Sequence, residues 1–163
     1  MSHSRSGSIG HWSIALEALC LVSLARLAIL LLPFRVIAPY LGVAGAESRA
    51  EESPEGELVI RRIIWALTAA GRRTPWASTC LARALAGHVM LRRRGLSSTL
   101  TLGVAKGLSA HAWLRCGAFD VCGGAEAGSF TPVASFADEP KVPLLVSREA
   151  KNSLTRRRGE RGE

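Results

Sequence analysis

Aromatic and acidic residues are scarce in this sequence of 163 residues. Aromatic side chains make up 6% of the chain, with one tyrosine, and 13 acidic residues face 21 lysines and arginines. Single-stranded nucleic acids bind where basic and aromatic side chains interleave, and no such stripe is present, so we predict no nucleic-acid partner. We interpret the arginine clusters as solvated helix ends and a basic tail, and a site for an acidic peptide is the alternative. These clusters lie at residues 72–73, 92–94 and 156–158.

Closely spaced cysteine pairs are also missing. The four cysteines, at positions 20, 80, 116 and 122, form no C-x-x-C motif. No histidine cluster lies near Cys116 and Cys122, so we predict no metal site, and nothing in the sequence indicates another cofactor. The first ten residues hold one arginine and no small-residue cleavage site at the right place for a signal peptide. We therefore expect a cytoplasmic protein with reduced thiols.

A long apolar segment covers residues 14–34 and raises the question of a membrane helix. Glu17 and Arg26 interrupt it, and a charge near the centre of a membrane span costs about 2.5–3.5 kcal/mol. We therefore predict a buried amphipathic helix that ends at Pro33, without stable membrane insertion. A membrane-anchored protein is the alternative.

Helical patterns precede strand patterns in the rest of the chain. Residues 58–71 place apolar side chains at helical spacing, with Gly71 as the expected C-cap, and a third helix follows Ser78 or Thr79. Residues 98–104, 110–116 and 119–122 read as strands separated by glycines, and together they predict an antiparallel sheet. This order indicates an α+β domain. We expect a flexible arm at residues 1–12, a helical segment and loop at 13–56, the core at 57–146 and a disordered tail at 147–163.

Cys80 lies in the first turn of the third predicted helix, where the helix dipole and the unpaired N–H groups stabilise a thiolate. His88 lies two turns further along the same helix and cannot fold back onto Cys80. His111 opens a predicted strand after a glycine turn. A cysteine at a helix N-terminus facing a histidine on a sheet is the arrangement of papain-like cysteine peptidases. From these residues alone, two buried structural side chains remain the alternative.

A longer motif resembles a known family. Residues 75–84, PWASTCLARA, resemble the P-W-x-x-x-C-L-x-x-A segment of the B2 proteins of lasso-peptide biosynthesis, which are leader peptidases with a transglutaminase-like fold. The resemblance continues at Arg94-Gly95, at Leu102-Gly103-Val104 and at Ala110-His111-Ala112-Trp113. It extends from Leu32-Pro33-Phe34-Arg35 and the preceding apolar helix, and covers residues 14–136. Several elements in the family's order and spacing make the resemblance specific.

The resemblance implies a Cys-His-Asp triad in which Cys80 and His111 match the first two members directly. Asp120, nine positions after His111, is the nearest carboxylate for the third, and Glu126 is the fallback. Trp76 and Trp113 flank the pair; they either pack around the site or shape a substrate groove.

The resemblance also implies a function. B2 proteins remove the leader from a ribosomally made precursor peptide before a separate cyclase acts on the core. The implied partners are the precursor peptide, a discrete B1 leader-recognition protein, since no room for such a domain precedes Ile14, and the cyclase. The alternatives are an acyl transferase of transglutaminase type and a non-catalytic peptide-binding scaffold.

Overall fold

The computed structural model describes residues 5–48, 53–73, 79–107 and 109–138, with side chains from residue 12 onward. The helices are α1 (Arg5–Leu31), α2 (Phe34–Ile37), α3 (Pro54–Arg73) and α4 (Cys80–Arg92), with 3₁₀ helices η1 (Ala38–Leu41) and η2 (Gly124–Ser129). The strands are β1 (Val43–Ala44), β2 (Thr99–Val104), β3 (Ala110–Cys116), β4 (Phe119–Cys122) and β5 (Thr131–Ala137). The tail predicted at 147–163 lies outside the described residues.

The strands form one open antiparallel sheet in the order β1-β5-β2-β3-β4. Helices α1, α3 and α4 pack together, and α4 also contacts β2, β3 and β4. The α+β fold class is therefore confirmed. The prediction of strands over 110–116 and 119–122 is confirmed as β3 and β4, and β2 begins one residue later than predicted.

The core lies between the helices and one face of the sheet. Helix α3 buries Ile60, Ile63 and Leu67, which recur at helical spacing. Strand β3 alternates: Ala112, Leu114 and Cys116 belong to the core, so His111, Trp113 and Arg115 project from the opposite face. Cys80 therefore belongs to the helical layer of the fold, whereas His111 belongs to the sheet.

Two helix predictions were wrong. Helix α3 does not end at Gly71 but continues to Arg73, and Gly71 has ordinary helical surroundings against the Arg83 side chain. Helix α1 does end before Pro33, but it begins at Arg5, inside the segment predicted as a flexible arm.

Helix α1 is not the buried helix that the sequence predicted. It buries Ile14, Ala18 and Val22 against the core, while the opposite face lies open. Only 17% of an apolar window within Trp12–Leu31 is buried. The apolar run predicted a helix correctly, but it did not predict that one apolar face of that helix would be exposed.

Candidate active site

Cys80 is the first residue of α4 and is partly exposed. The preceding residue, Thr79, has extended backbone angles (φ −79°, ψ 111°) and accepts hydrogen bonds from the N–H groups of Ala82 and Arg83 through its carbonyl oxygen. The N–H groups of Cys80 and Leu81 have no intrahelical acceptor, because they belong to the first turn. Cys80 thus lies at the positive end of the helix dipole, among N–H groups that have no partner within the helix.

Cys80 and His111 line the same cavity, which has a volume of ≈ 670 Å³. Arg83 and Cys122 line it on the α4 and β4 side, and Glu126 lines it on the η2 side. Among the described residues no hydrogen bond joins Cys80 to His111. The two side chains therefore share a cavity without a hydrogen bond between them in the described part of the chain.

The imidazole of His111 stacks against two aromatic rings. The Phe130 ring stacks on it at a centroid distance of 4.8 Å, and Trp113 stacks at 6.1 Å. Gly103, the cross-strand neighbour of His111 on β2, makes room for this stack. A Cβ at Gly103 would lie 2.7 Å from Trp113 Cζ3 and 3.0 Å from Phe130 Cβ. The glycine is required by the close approach of the two rings.

The tautomer of His111 follows from its hydrogen bond. His111 Nε2 lies 2.9 Å from the carbonyl oxygen of Gly123, and a carbonyl only accepts, so Nε2 carries the proton. The lone pair is left on Nδ1. Gly123 has a φ of +76°, and a Cβ there would lie 2.6 Å from Ala112 O, so this turn requires glycine.

Glu126 is the carboxylate that the structure brings to His111. Its Oε2 lies 3.4 Å from His111 Nε2, with the Glu126 side chain 70% exposed and the His111 side chain 10% exposed. Asp120 was the first choice from the sequence, but the ion pair that its carboxylate forms is with Arg115. Asp120 Oδ1 lies 3.4 Å from Arg115 Nε, and Arg115 is its register partner on β3. The Asp120 carboxyl group also packs against Gly124, in the turn that carries Glu126.

Cys122 is the second cysteine in the cavity. Burial raises the pKa of the Cys122 thiol to about 11, against an opposing effect of the Arg83 charge. Cys122 is therefore a neutral thiol near pH 7 and packs as a small apolar side chain. The contrast leaves Cys80, at the helix N-terminus, as the nucleophile candidate of this cavity.

The remaining predicted site residues divide into one that is described and one that is not. Trp113 is 7% exposed, stacks on His111 and borders a groove of ≈ 690 Å³ on the open face of the sheet. Trp76 lies outside the described residues. Within the described part of the chain, no three His, Cys, Asp or Glu side chains are grouped as metal ligands.

Sequence reasoning missed Gly103, Gly123 and Phe130. The glycine inside the predicted strand 98–104 was a signal, since glycine in a strand marks a close approach of other groups. The aromatic ring that approaches, Phe130, lay in a segment without a strand prediction.

One known protein family matches more than half of the chain. The sequence profile of the transglutaminase-like superfamily matches residues 28–135, which include Cys80, His111, Gly123 and Glu126. No curated protein and no solved structure gives a significant match. The superfamily includes cysteine peptidases and transglutaminases, and it generally contains cysteine-dependent enzymes. Since the profile covers more than half of the chain and the α+β fold agrees with it, the chain belongs to the transglutaminase-like superfamily.

Proposed function

We propose that this protein is a cysteine peptidase that removes the leader from a lasso precursor peptide. The observation that carries the proposal is the shared cavity: Cys80 at a helix N-terminus and His111, with its lone pair on Nδ1, line the same ≈ 670 Å³ space. The resemblance of residues 75–84 and 110–113 to leader peptidases supports the choice of substrate.

The first half of the reaction forms an acyl-enzyme. Substrate binding brings the two side chains within reach, and His111 Nδ1 takes the proton of Cys80 Sγ. The thiolate attacks the carbonyl carbon at the leader–core junction, and the N–H groups at the start of α4 hold the oxyanion. The imidazolium then protonates the departing amine. The leader remains as a thioester on Cys80, and the core leaves with a free N-terminus.

The second half hydrolyses the thioester. His111 Nδ1 takes a proton from a water molecule, which attacks the thioester carbonyl. The tetrahedral intermediate collapses, the leader leaves as a carboxylate, and Cys80 recovers its proton. In both halves Nε2–H stays on the Gly123 carbonyl, and Glu126 stabilises the imidazolium when it forms.

The proposal includes partners and a compartment. The precursor peptide is the substrate, a separate B1 protein delivers its leader, and a cyclase receives the core in the cytoplasm. Trp113, which borders the open-face groove beside His111, is the proposed substrate-contacting tryptophan.

The test is an incubation of the protein with a candidate precursor and its recognition protein, followed by mass spectrometry. We expect two peptide fragments with the wild type and with Cys20→Ala, an exposed-cysteine control. Cys80→Ala and His111→Ala should give intact precursor. Fragments with Cys80→Ala would refute the proposal.

The wild-type products also distinguish the rival functions. A product heavier than the precursor, formed between a glutamine and an amine, would assign acyl transfer through the same thioester. Intact precursor that copurifies with the wild type would assign a binding scaffold.

A further inference from the structure

The solvent face of α1 carries a continuous apolar surface that the proposed peptidase does not use. We call it the outer stripe, and its large members are each at least half exposed. They are Trp12, Leu16, Leu24, Leu27, Leu30 and Leu31. At 3.6 residues per turn these positions fall on one side of the helix, opposite Ile14, Ala18 and Val22. Single exposed leucines are ordinary, but a contiguous stripe marks an interaction site.

Charge is absent from the stripe itself. The other exposed positions within it are Ser13, Cys20 and Ser23. The two charged residues of the segment, Glu17 and Arg26, fall on its margins and are partly buried. The Glu17 carboxylate is neutralised by Arg94, at 2.6 Å, and by Arg93, at 3.3 Å. A charge-free apolar surface of about 30 Å in length thus runs along α1.

Basic side chains border the stripe. Arg93 lies beside α1 through Glu17, and Arg26 lies on the margin of the stripe itself. Arg35 is exposed on α2. The chain as a whole carries a net charge of +8. A leucine surface with a cationic border complements a surface in which an anionic outer layer covers an apolar interior.

Two exposed aromatic residues belong to this part of the molecule. Trp12 is 66% exposed at one end of the stripe, and Tyr40 is 73% exposed in η1. Tryptophan and tyrosine favour the boundary between lipid headgroups and acyl chains, where one edge of the ring is wet and the other apolar.

We propose that the outer stripe of α1 docks this protein onto the surface of an anionic membrane, with the helix lying in the plane of the interface. The helix does not span the bilayer, although Trp12–Leu31 is long and apolar enough, with a mean hydropathy of 2.3. Its inner face is part of the core shared with α3 and α4. Spanning would require that core to be opened, whereas docking in the plane leaves it intact.

A second copy of the chain is the competing occupant. Two copies meeting through the stripe would bring two arginine borders together, and like charges across an interface are unfavourable. An anionic lipid surface has no such conflict. The charge distribution therefore favours the membrane.

The first test uses the wild type and needs no mutation. Cys20 lies within the stripe and is exposed, whereas Cys80 lies at the far end of α4 from the arginine border. Anionic phosphatidylglycerol vesicles should slow alkylation of Cys20 by a water-soluble maleimide several-fold and leave Cys80 unchanged, as read by peptide mass spectrometry. Equal rates with and without these vesicles would overturn the proposal.

The second test measures binding by vesicle sedimentation. Leu27→Glu/Leu30→Glu should lower partition into anionic vesicles by about tenfold or more, since two exposed apolar anchors become anionic. The matched control is Val133→Glu, at an exposed valine (60%) on β5, which should bind like the wild type. Neutral phosphatidylcholine vesicles and high salt should both weaken wild-type binding.

Two further outcomes would overturn the proposal in specific ways. A wild type that is dimeric without vesicles, and monomeric as Leu27→Glu/Leu30→Glu, would assign the stripe to a second copy. Vesicle-bound protein that resists extraction by alkaline carbonate would show a spanning helix instead of a docked one.

Discussion

At the scale of single residues, the base of the candidate site is restrained by the backbone. Gly123 O fixes the proton on His111 Nε2, while Phe130 and Trp113 fix the plane of the ring. A carboxylate is therefore not needed to select the tautomer, unlike in a triad whose aspartate performs that task alone. Glu126 can add only its charge, at 3.4 Å and from an exposed position.

This arrangement predicts a modest and specific effect of Glu126. Glu126→Gln should lower kcat by about fivefold, the size of one exposed ion pair of about 1 kcal/mol. KM should change little, because the tautomer and the ring position are retained. Asp120→Asn is the matched control and should retain full activity, since Asp120 pairs with Arg115. A larger loss with Asp120→Asn than with Glu126→Gln would reverse the assignment.

Gly103 gives a second prediction at this scale. A methyl group there must displace Trp113 or Phe130, so Gly103→Ala should lower kcat/KM by about tenfold or more as His111 loses its support. The fold should persist, as measured by thermal unfolding, because the φ of Gly103 is not positive. Gly128→Ala, where a Cβ meets nothing within 4 Å, should behave like the wild type. Unchanged kinetics in Gly103→Ala would show that the ring stack is dispensable.

At the scale of elements, a buried polar link joins α4 to the sheet. His88 on α4 contacts Ser98, just before β2, with Nδ1 and Oγ 2.9 Å apart, and both residues are fully buried. His88 Nε2 lies 3.7 Å from the Asp138 carboxylate, just after β5, and Asp138 also faces Arg92. Burial lowers the pKa of His88, with Asp138 opposing and Arg92 adding to the effect. The folded protein therefore favours the neutral form of the His88 imidazole.

This link predicts acid sensitivity. The unfolded chain binds a proton at His88 near the ordinary pKa of 6.5, whereas the folded chain binds it only at lower pH. The free energy of unfolding should therefore fall as the pH drops below 6.5. In His88→Gln this part of the pH dependence should disappear. Urea unfolding of both proteins at several pH values between 5 and 7.5 measures the difference, and parallel curves would contradict the assignment.

The helices and strands also show which parts of the fold the sequence predicted. Strands β3 and β4 were predicted with correct bounds because glycines follow each of them. The start of α4 was predicted because Thr79, one of the two cap candidates, precedes an apolar run. The carboxylate nearest His111, Glu126, was only the fallback of the sequence prediction, behind Asp120. The register between β3 and β4 shifts after Leu114, a bulge that no local pattern announces, and the η2 turn that carries Glu126 is set by Gly123. Likewise, periodicity located the helix α1 but could not say which of its apolar faces the core would take.

At the scale of the whole molecule, the cavity and the core meet at Cys122. The thiol borders the cavity and packs in the core, and its neutral form is favoured there. A group whose folded pKa is raised contributes stability that is present below its unfolded pKa and lost as the pH rises toward the folded value.

Alkaline pH should therefore destabilise the whole fold through this residue. Between pH 9.0, the ordinary value for cysteine, and about 11, the unfolded thiol ionises while the folded one does not. We expect the free energy of unfolding of the wild type to fall by about 2 kcal/mol more than that of Cys122→Ala over this interval. Guanidinium unfolding at pH 8.5 and 10.5 checks the difference, and Cys20→Ala, at an exposed thiol, should follow the wild type.

The strand order has a consequence for synthesis on the ribosome. The last described strand, β5, is inserted between β1 and β2, so the sheet stays divided until residue 137 has left the exit tunnel. Phe130, which stacks on His111, immediately precedes that strand. A nascent chain that ends between His111 and Phe130 thus lacks both the ring that stacks on His111 and the strand that joins β1 to β2. The candidate site would therefore acquire its complete ring support only after Phe130 and β5 have been synthesised and have joined the sheet.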